Sequence, residues 1–138
     1  MKDFQFKIPQ TIEFGMGSLK KLPEMLADSK SNNVMLVSDR GLEAIGVVKK
    51  VQDIIEAAGI KCTAYLDVKP NPTVDIVNEA AALYAECGAT CLVALGGGSR
   101  IDCAKGIAAK AVHPRMKVSQ LQGLLKVHWP IPTFIAIP

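Results

Sequence analysis

The sequence predicts an α/β protein: a parallel sheet with helices on both faces, preceded by an N-terminal β-hairpin. Three observations carry this reading. Short apolar runs at residues 34–37, 91–95 and 133–137 have the length of strands buried on both faces. Segments of helical period separate the earlier runs, and a crossover of that size joins parallel rather than antiparallel strands. Turn residues (Gly, Pro, Asn, Asp) fall where one period gives way to the other.

Taken in order, residues 4–14 alternate apolar and polar with a break at Pro9, which suggests two short extended pieces at a sheet edge, where proline is tolerated. Gly15-Met16-Gly17-Ser18 turns the chain into a short helix carrying Leu22, Met25 and Leu26, with Pro23 near its first turn. The strand at 34–37 ends at Ser38-Asp39-Arg40-Gly41. A helix follows with Ile45, Val48, Val51, Ile55 and Ala58 on one face and Gly59 as its stop. A strand at 60–68 closes on Pro70-Asn71-Pro72-Thr73. Thr73 then caps a helix whose apolar face holds Ile76, Val77, Ala80, Leu83 and Tyr84, ending at Gly88.

The strand at 91–95 runs directly into Gly96, Gly97 and Gly98. Helical spacing resumes at Ile101, Ala104, Lys105 and Ala108, with Ser99 placed as the cap. Strand, glycine turn and helix N-terminus make an anion-binding geometry, because bare backbone admits an anion and the first helical N–H groups point at it. A tight turn that needs glycine only for its dihedral angles is the alternative. Residues 113–132 read as irregular with one helical turn near 121–125, and 133–137 is the final strand. Ligands of parallel sheets bind outside the carboxyl ends of the strands. Asp39, Asn71 and the loop from Gly97 to Asp102, which includes Ser99, all fall on that rim.

Composition narrows the function. The 138 residues suit one domain, 21% are charged, and a net charge of +3 is spread without a basic stripe, so nucleic acid is not an expected partner. The N-terminus lacks the apolar core of a signal peptide and no run reaches the length of a membrane span, which points to the cytoplasm. Cys62, Cys87, Cys91 and Cys103 sit in apolar or helical contexts without metal or redox spacing, and His113 and His128 have no acidic neighbours. The thiols are expected to be reduced and mostly buried, and no metal site is visible. A 49% hydrophobic chain whose last strand has no helix after it is expected to be the N-terminal part of a longer protein.

The stretch Ile12-Glu13-Phe14-Gly15-Met16-Gly17-Ser18-Leu19, then Val37-Ser38-Asp39-Arg40-Gly41-Leu42, Pro70-Asn71-Pro72-Thr73, Gly96-Gly97-Gly98-Ser99 with Asp102 and Ala104-Lys105, and residues 132–138 together resemble the N-terminal domain of iron-containing (group III) alcohol dehydrogenases. The resemblance spans nearly the whole chain, read as one NAD(P)-binding domain over 1–138. It implies a Rossmann-like domain with a nicotinamide dinucleotide over the rim. Gly97, Gly98 and Ser99 would meet the pyrophosphate, Asp39 the adenosine ribose and Asn71 the adenine side, with Asp102 towards the nicotinamide. A carboxylate at Asp39 favours NAD over NADP, although Arg40 beside it is able to pair with a 2′-phosphate.

Position 100 is usually proline in the family; Arg100 here either adds a cation near the pyrophosphate or points into water. The family's helical C-terminal domain, which supplies an aspartate and three histidines to iron or zinc, is not in this chain. The fragment is therefore expected to be inactive alone, its small alcohol or aldehyde substrate belonging to the longer enzyme, with a homo-oligomer possible. Glycerol dehydrogenases and dehydroquinate synthases share the domain plan, and a non-catalytic nucleotide-binding module is a further alternative.

Overall fold

The computed structural model describes residues 11–121 and 130–138. Four parallel strands, β1 (Asn33–Val37), β2 (Lys61–Tyr65), β3 (Cys91–Leu95) and β4 (Thr133–Ile137), form a sheet in the order β2-β1-β3-β4. The two central strands bury almost every side chain, as their unbroken apolar sequences require. Alternate residues of one strand serve opposite faces. Met35 and Val37 pack with Leu92 and Ala94 on one side, and Val34 and Leu36 with Cys91, Val93 and Leu95 on the other.

Among the described residues the α-helices are α1 (Leu22–Asp28), α2 (Arg40–Ala44), α3 (Val47–Ala57), α4 (Val74–Glu86) and α5 (Gly98–Val112), and four of the five bury side chains against the sheet. Leu22 and Leu26 of α1, with Val48, Val51 and Ile55 of α3, fill one face. Val77, Ala80 and Tyr84 of α4, with Cys103, Ala104, Ile107 and Ala108 of α5, fill the other. Gly106 permits close approach of α5 to α4: a Cβ there would lie 2.9 Å from Val77 Cγ1. Helices therefore lie on both faces of a parallel sheet, as the alternating periods predict.

The elements match the sequence reading with local corrections. Pro23 sits in the first turn of α1, and Thr73 caps α4 by accepting from the Ile76 N–H at 3.3 Å. The single helix expected from Ile45 to Ala58 is two, because Gly46 adopts φ 81 and breaks it. Ile45 is consequently 71% exposed rather than on the apolar face, and Ala58 is the exposed C-cap residue. Strand β2 is shorter than the expected 60–68. Of the expected hairpin over 4–14, residues 4–10 lie outside the described residues and 11–14 carry no strand. Of the helical turn expected near 121–125, residues 122–125 lie outside the described residues; a 3-10 turn spans Val118–Leu121. Among the described residues no helix is long and apolar enough to cross a membrane.

Candidate functional site

From β1 the chain crosses to β2 on one side and then to β3 on the other, so the direction of winding reverses between β1 and β3. At such a switch point the loops leaving two neighbouring strands diverge and open a crevice. Ser38 closes its floor. Fully buried, it donates its N–H to the Tyr65 carbonyl at 2.9 Å and its hydroxyl to the Leu95 carbonyl at 3.0 Å, joining the ends of three strands.

Asp39 comes next, with extended backbone, as the N-cap of α2. One carboxylate oxygen accepts from the Leu42 N–H at 3.0 Å. The other accepts from Arg100 Nε at 2.5 Å, across the crevice from the first turn of α5. The pair is mostly buried, with side chains 10% exposed for Asp39 and 26% for Arg100. Burial pushes the Asp39 carboxyl up. The Arg100 hydrogen bond and charge, with the Leu42 and Gly41 N–H groups, outweigh it and hold the carboxyl below its ordinary value of 3.8.

A depressed folded-state value means that the ionised carboxylate stabilises the fold above the unfolded value, and that this contribution disappears as pH falls through the folded one. The stability difference between the unmodified chain and Arg100→Gln, measured by denaturant titration, is therefore expected to be largest near neutral pH and to shrink below about pH 4. A difference that stayed constant to pH 2, or about that, would remove Asp39 from the account.

The three glycines divide into two kinds. Gly96 has φ 119, and a Cβ there would lie 3.0 Å from Leu42 Cδ1 and 3.1 Å from Arg100 Cδ; the fold itself needs glycine at this position. Gly97 has φ −74, Gly98 is also outside the positive-φ region, and a Cβ on either would meet nothing within 4 Å. The cap of α5 is Gly97, not Ser99 as the sequence suggested. Ser99 lies within the first turn, where its hydroxyl accepts from the Asn71 N–H at 3.4 Å. Asn71 is exposed and holds φ 53, a left-handed conformation that asparagine tolerates better than most residues. Asp102 stands on the exposed side of α5 with Lys105 Nζ at 4.0 Å.

Structure thus joins Asp39 to the glycine helix and Asn71 to Ser99, while Asp102 remains apart from both pairs. Arg40, the arginine beside Asp39 in sequence, gives Nε to Asp67 and Nη1 to Glu43, and its side chain is 63% exposed. Arg100 and Ser38 are the rim residues that sequence reasoning left unassigned. A small hydroxyl directly after a fully apolar strand was the available signal for Ser38. Nothing local distinguished the two directions for Arg100.

The family model for iron-containing alcohol dehydrogenases matches residues 9–138. The chain belongs to the iron-containing alcohol dehydrogenase family. A long-chain primary alcohol dehydrogenase of Thermoanaerobacter ethanolicus is 41% identical over 111 residues, which are 78% of this chain and 28% of that protein. The crystal structure of a 1,3-propanediol oxidoreductase superposes with a TM-score of 0.90 at 29% identity, covering 98% of this chain and 35% of the other. An NADH-dependent butanol dehydrogenase of Thermotoga maritima gives 0.86 at 27% identity, covering 99% and 34%. The chain spans about a third of the length of these relatives.

Two groups implied by the family can be tested against these residues. A dinucleotide fits: the space over Gly97 and Gly98 is open, and α5, with fifteen residues behind it, presents its first N–H groups there. A metal does not. Among the described residues no three His, Cys, Asp or Glu side chains come together to hold one. The four cysteines are free thiols. Burial pushes Cys62 up to about 12, with Glu56 adding to it, and pushes Cys91 and Cys103 up to about 11, so these sulfurs stay protonated.

Proposed function

We propose that this chain is the dinucleotide-binding part of a metal-dependent alcohol dehydrogenase that passes hydride between an alcohol or aldehyde and nicotinamide. One observation carries the reading: Gly97 and Gly98 lack side chains although neither their backbone angles nor their neighbours demand it. A requirement imposed from outside, by an anion seated on the helix N-terminus, supplies the missing reason. Gly97, Gly98 and Ser99 would face the pyrophosphate, Asp39 the adenosine ribose and Asn71 the adenine side, with Asp102 towards the nicotinamide. When bound, the cofactor supplies the hydride acceptor or donor. The residues of this chain bind and orient it, and Ser38 keeps the strand ends at a fixed separation beneath it.

The names of the relatives support an alcohol or aldehyde as the other reactant, acting at residues beyond this chain. A preference for NAD over NADP followed from a free Asp39 carboxylate. The pairing with Arg100 removes that premise, so the cofactor is proposed as NAD(P).

Ser99→Ala tests the phosphate cradle. Because Ser99 is not the cap and its bond to Asn71 is long and exposed, the substitution should change stability by less than about 0.5 kcal/mol. Loss of a hydroxyl on a charged phosphate should weaken NADH binding about tenfold to a hundredfold in fluorescence titration. Unchanged NADH affinity in the folded variant would refute a phosphate contact at Ser99.

A further inference from the structure

We infer that Arg100 is a specificity-determining residue, anchored on Asp39 through Nε and presenting its two terminal nitrogens to the 2′-phosphate of a phosphorylated dinucleotide. This rests on the dinucleotide reading above. A carboxylate at the end of β1 ordinarily accepts the ribose hydroxyls and repels a 2′-phosphate. Here its charge is matched by a guanidinium at 2.5 Å in a mostly buried pair.

The geometry gives that guanidinium a direction. Its stem crosses Gly96, where a Cβ would lie 3.1 Å from Arg100 Cδ and 3.3 Å from Cγ, so the bare glycine leaves the lane along which the arginine reaches Asp39. Only Nε is spent on the carboxylate; Nη1 and Nη2 have no hydrogen-bond partner among the described residues. An arginine with both terminal nitrogens available matches two phosphate oxygens at once. Arg40, the other candidate, is already held by Asp67 and Glu43. The same contact that cancels the repulsive charge therefore also supplies the attractive one.

The experiment titrates NADH, NADPH, 5′-ADP and 2′,5′-ADP against the unmodified chain and Arg100→Gln, with thermal melts alongside. The unmodified chain is expected to bind 2′,5′-ADP at least as tightly as 5′-ADP, and Arg100→Gln to shift the NADPH-to-NADH affinity ratio against NADPH by about tenfold to a hundredfold. Because Arg100→Gln also frees the Asp39 carboxylate, which repels a 2′-phosphate by itself, the comparison is repeated in an Asp39→Asn background, where the same shift is expected. There a residue that merely ties β1 to α5 would move all four affinities together; an unmoved ratio overturns the inference while retained NADH binding keeps the dinucleotide reading. Should Arg100→Gln fail to fold, the unmodified chain decides, because weaker binding of 2′,5′-ADP than of 5′-ADP overturns the inference by itself. A chain that binds none of the four overturns both.

Discussion

Gly98→Val is expected to leave the chain folded and to remove dinucleotide binding. Gly98 has no positive φ, and a Cβ there meets no atom within 4 Å, so the first carbon of the new side chain displaces nothing and the backbone is not strained. Valine in the first turn of α5 is also slightly more favourable to a helix than glycine. The melting temperature should therefore hold or rise a little. Two methyl groups would nevertheless stand in the open space over the helix N-terminus, where the proposed pyrophosphate approaches backbone N–H groups. Affinity for NADH should fall by about a hundredfold or more, equivalent to about 2.7 kcal/mol. Calorimetric titration with a circular-dichroism melt measures both quantities on one sample. A folded Gly98→Val chain that binds NADH as the unmodified chain does would make the glycine turn a plain turn.

Two residues earlier the same substitution should do the opposite. Gly96 holds φ 119, a conformation that costs a β-branched residue about 1–3 kcal/mol. The added side chain would also start 3.0 Å from Leu42 Cδ1 and 3.1 Å from Arg100 Cδ, and such overpacking costs about 1–3 kcal/mol more. Gly96→Val should therefore destabilise the chain by about 2–6 kcal/mol in urea titration. Because the clash falls on the arginine stem, the Asp39–Arg100 pair should be displaced as well. A loss below about 0.5 kcal/mol would show that the turn adapts and that Gly96 is not fixed by its dihedral angle. Glycines two residues apart with opposite phenotypes, one lost in stability and one in binding, would separate the structural and ligand-facing parts of a single loop.

That separation was not legible in the run Gly96-Gly97-Gly98, which reads as three equivalent glycines. Strand and helix order was legible, because it depends on interactions between near neighbours. An unbroken apolar run buries both faces of a strand, Thr73 finds the Ile76 N–H three residues on, and Gly59 and Gly88, with φ 77 and 70, stop helices by their own backbone freedom. The rim position of Asp39, Asn71 and the glycine loop followed from the same order, since every strand of a parallel sheet points one way. Gly46 could have been recognised as a break rather than a passenger, but the hydrophobic spacing continued across it and local pattern favoured one helix.

What needed the tertiary structure is the pairing of side chains that the sequence places far apart. Whether Arg100 faced water, phosphate or a carboxylate turned on β1 and β3 being neighbours, which brings residues 61 positions apart to 2.5 Å. Local sequence carries no term for that contact, because its energy exists only once the strand order is set and the crevice walls exclude water from the pair. The same holds for the cap of α5. Serine is the better cap by propensity, yet α5 already begins at Gly98, which leaves the cap to Gly97 and places Ser99 inside the first turn beside Asn71. Sequence alone thus determined the order of strands and helices and the rim; strand adjacency decided which charges on that rim are matched to one another.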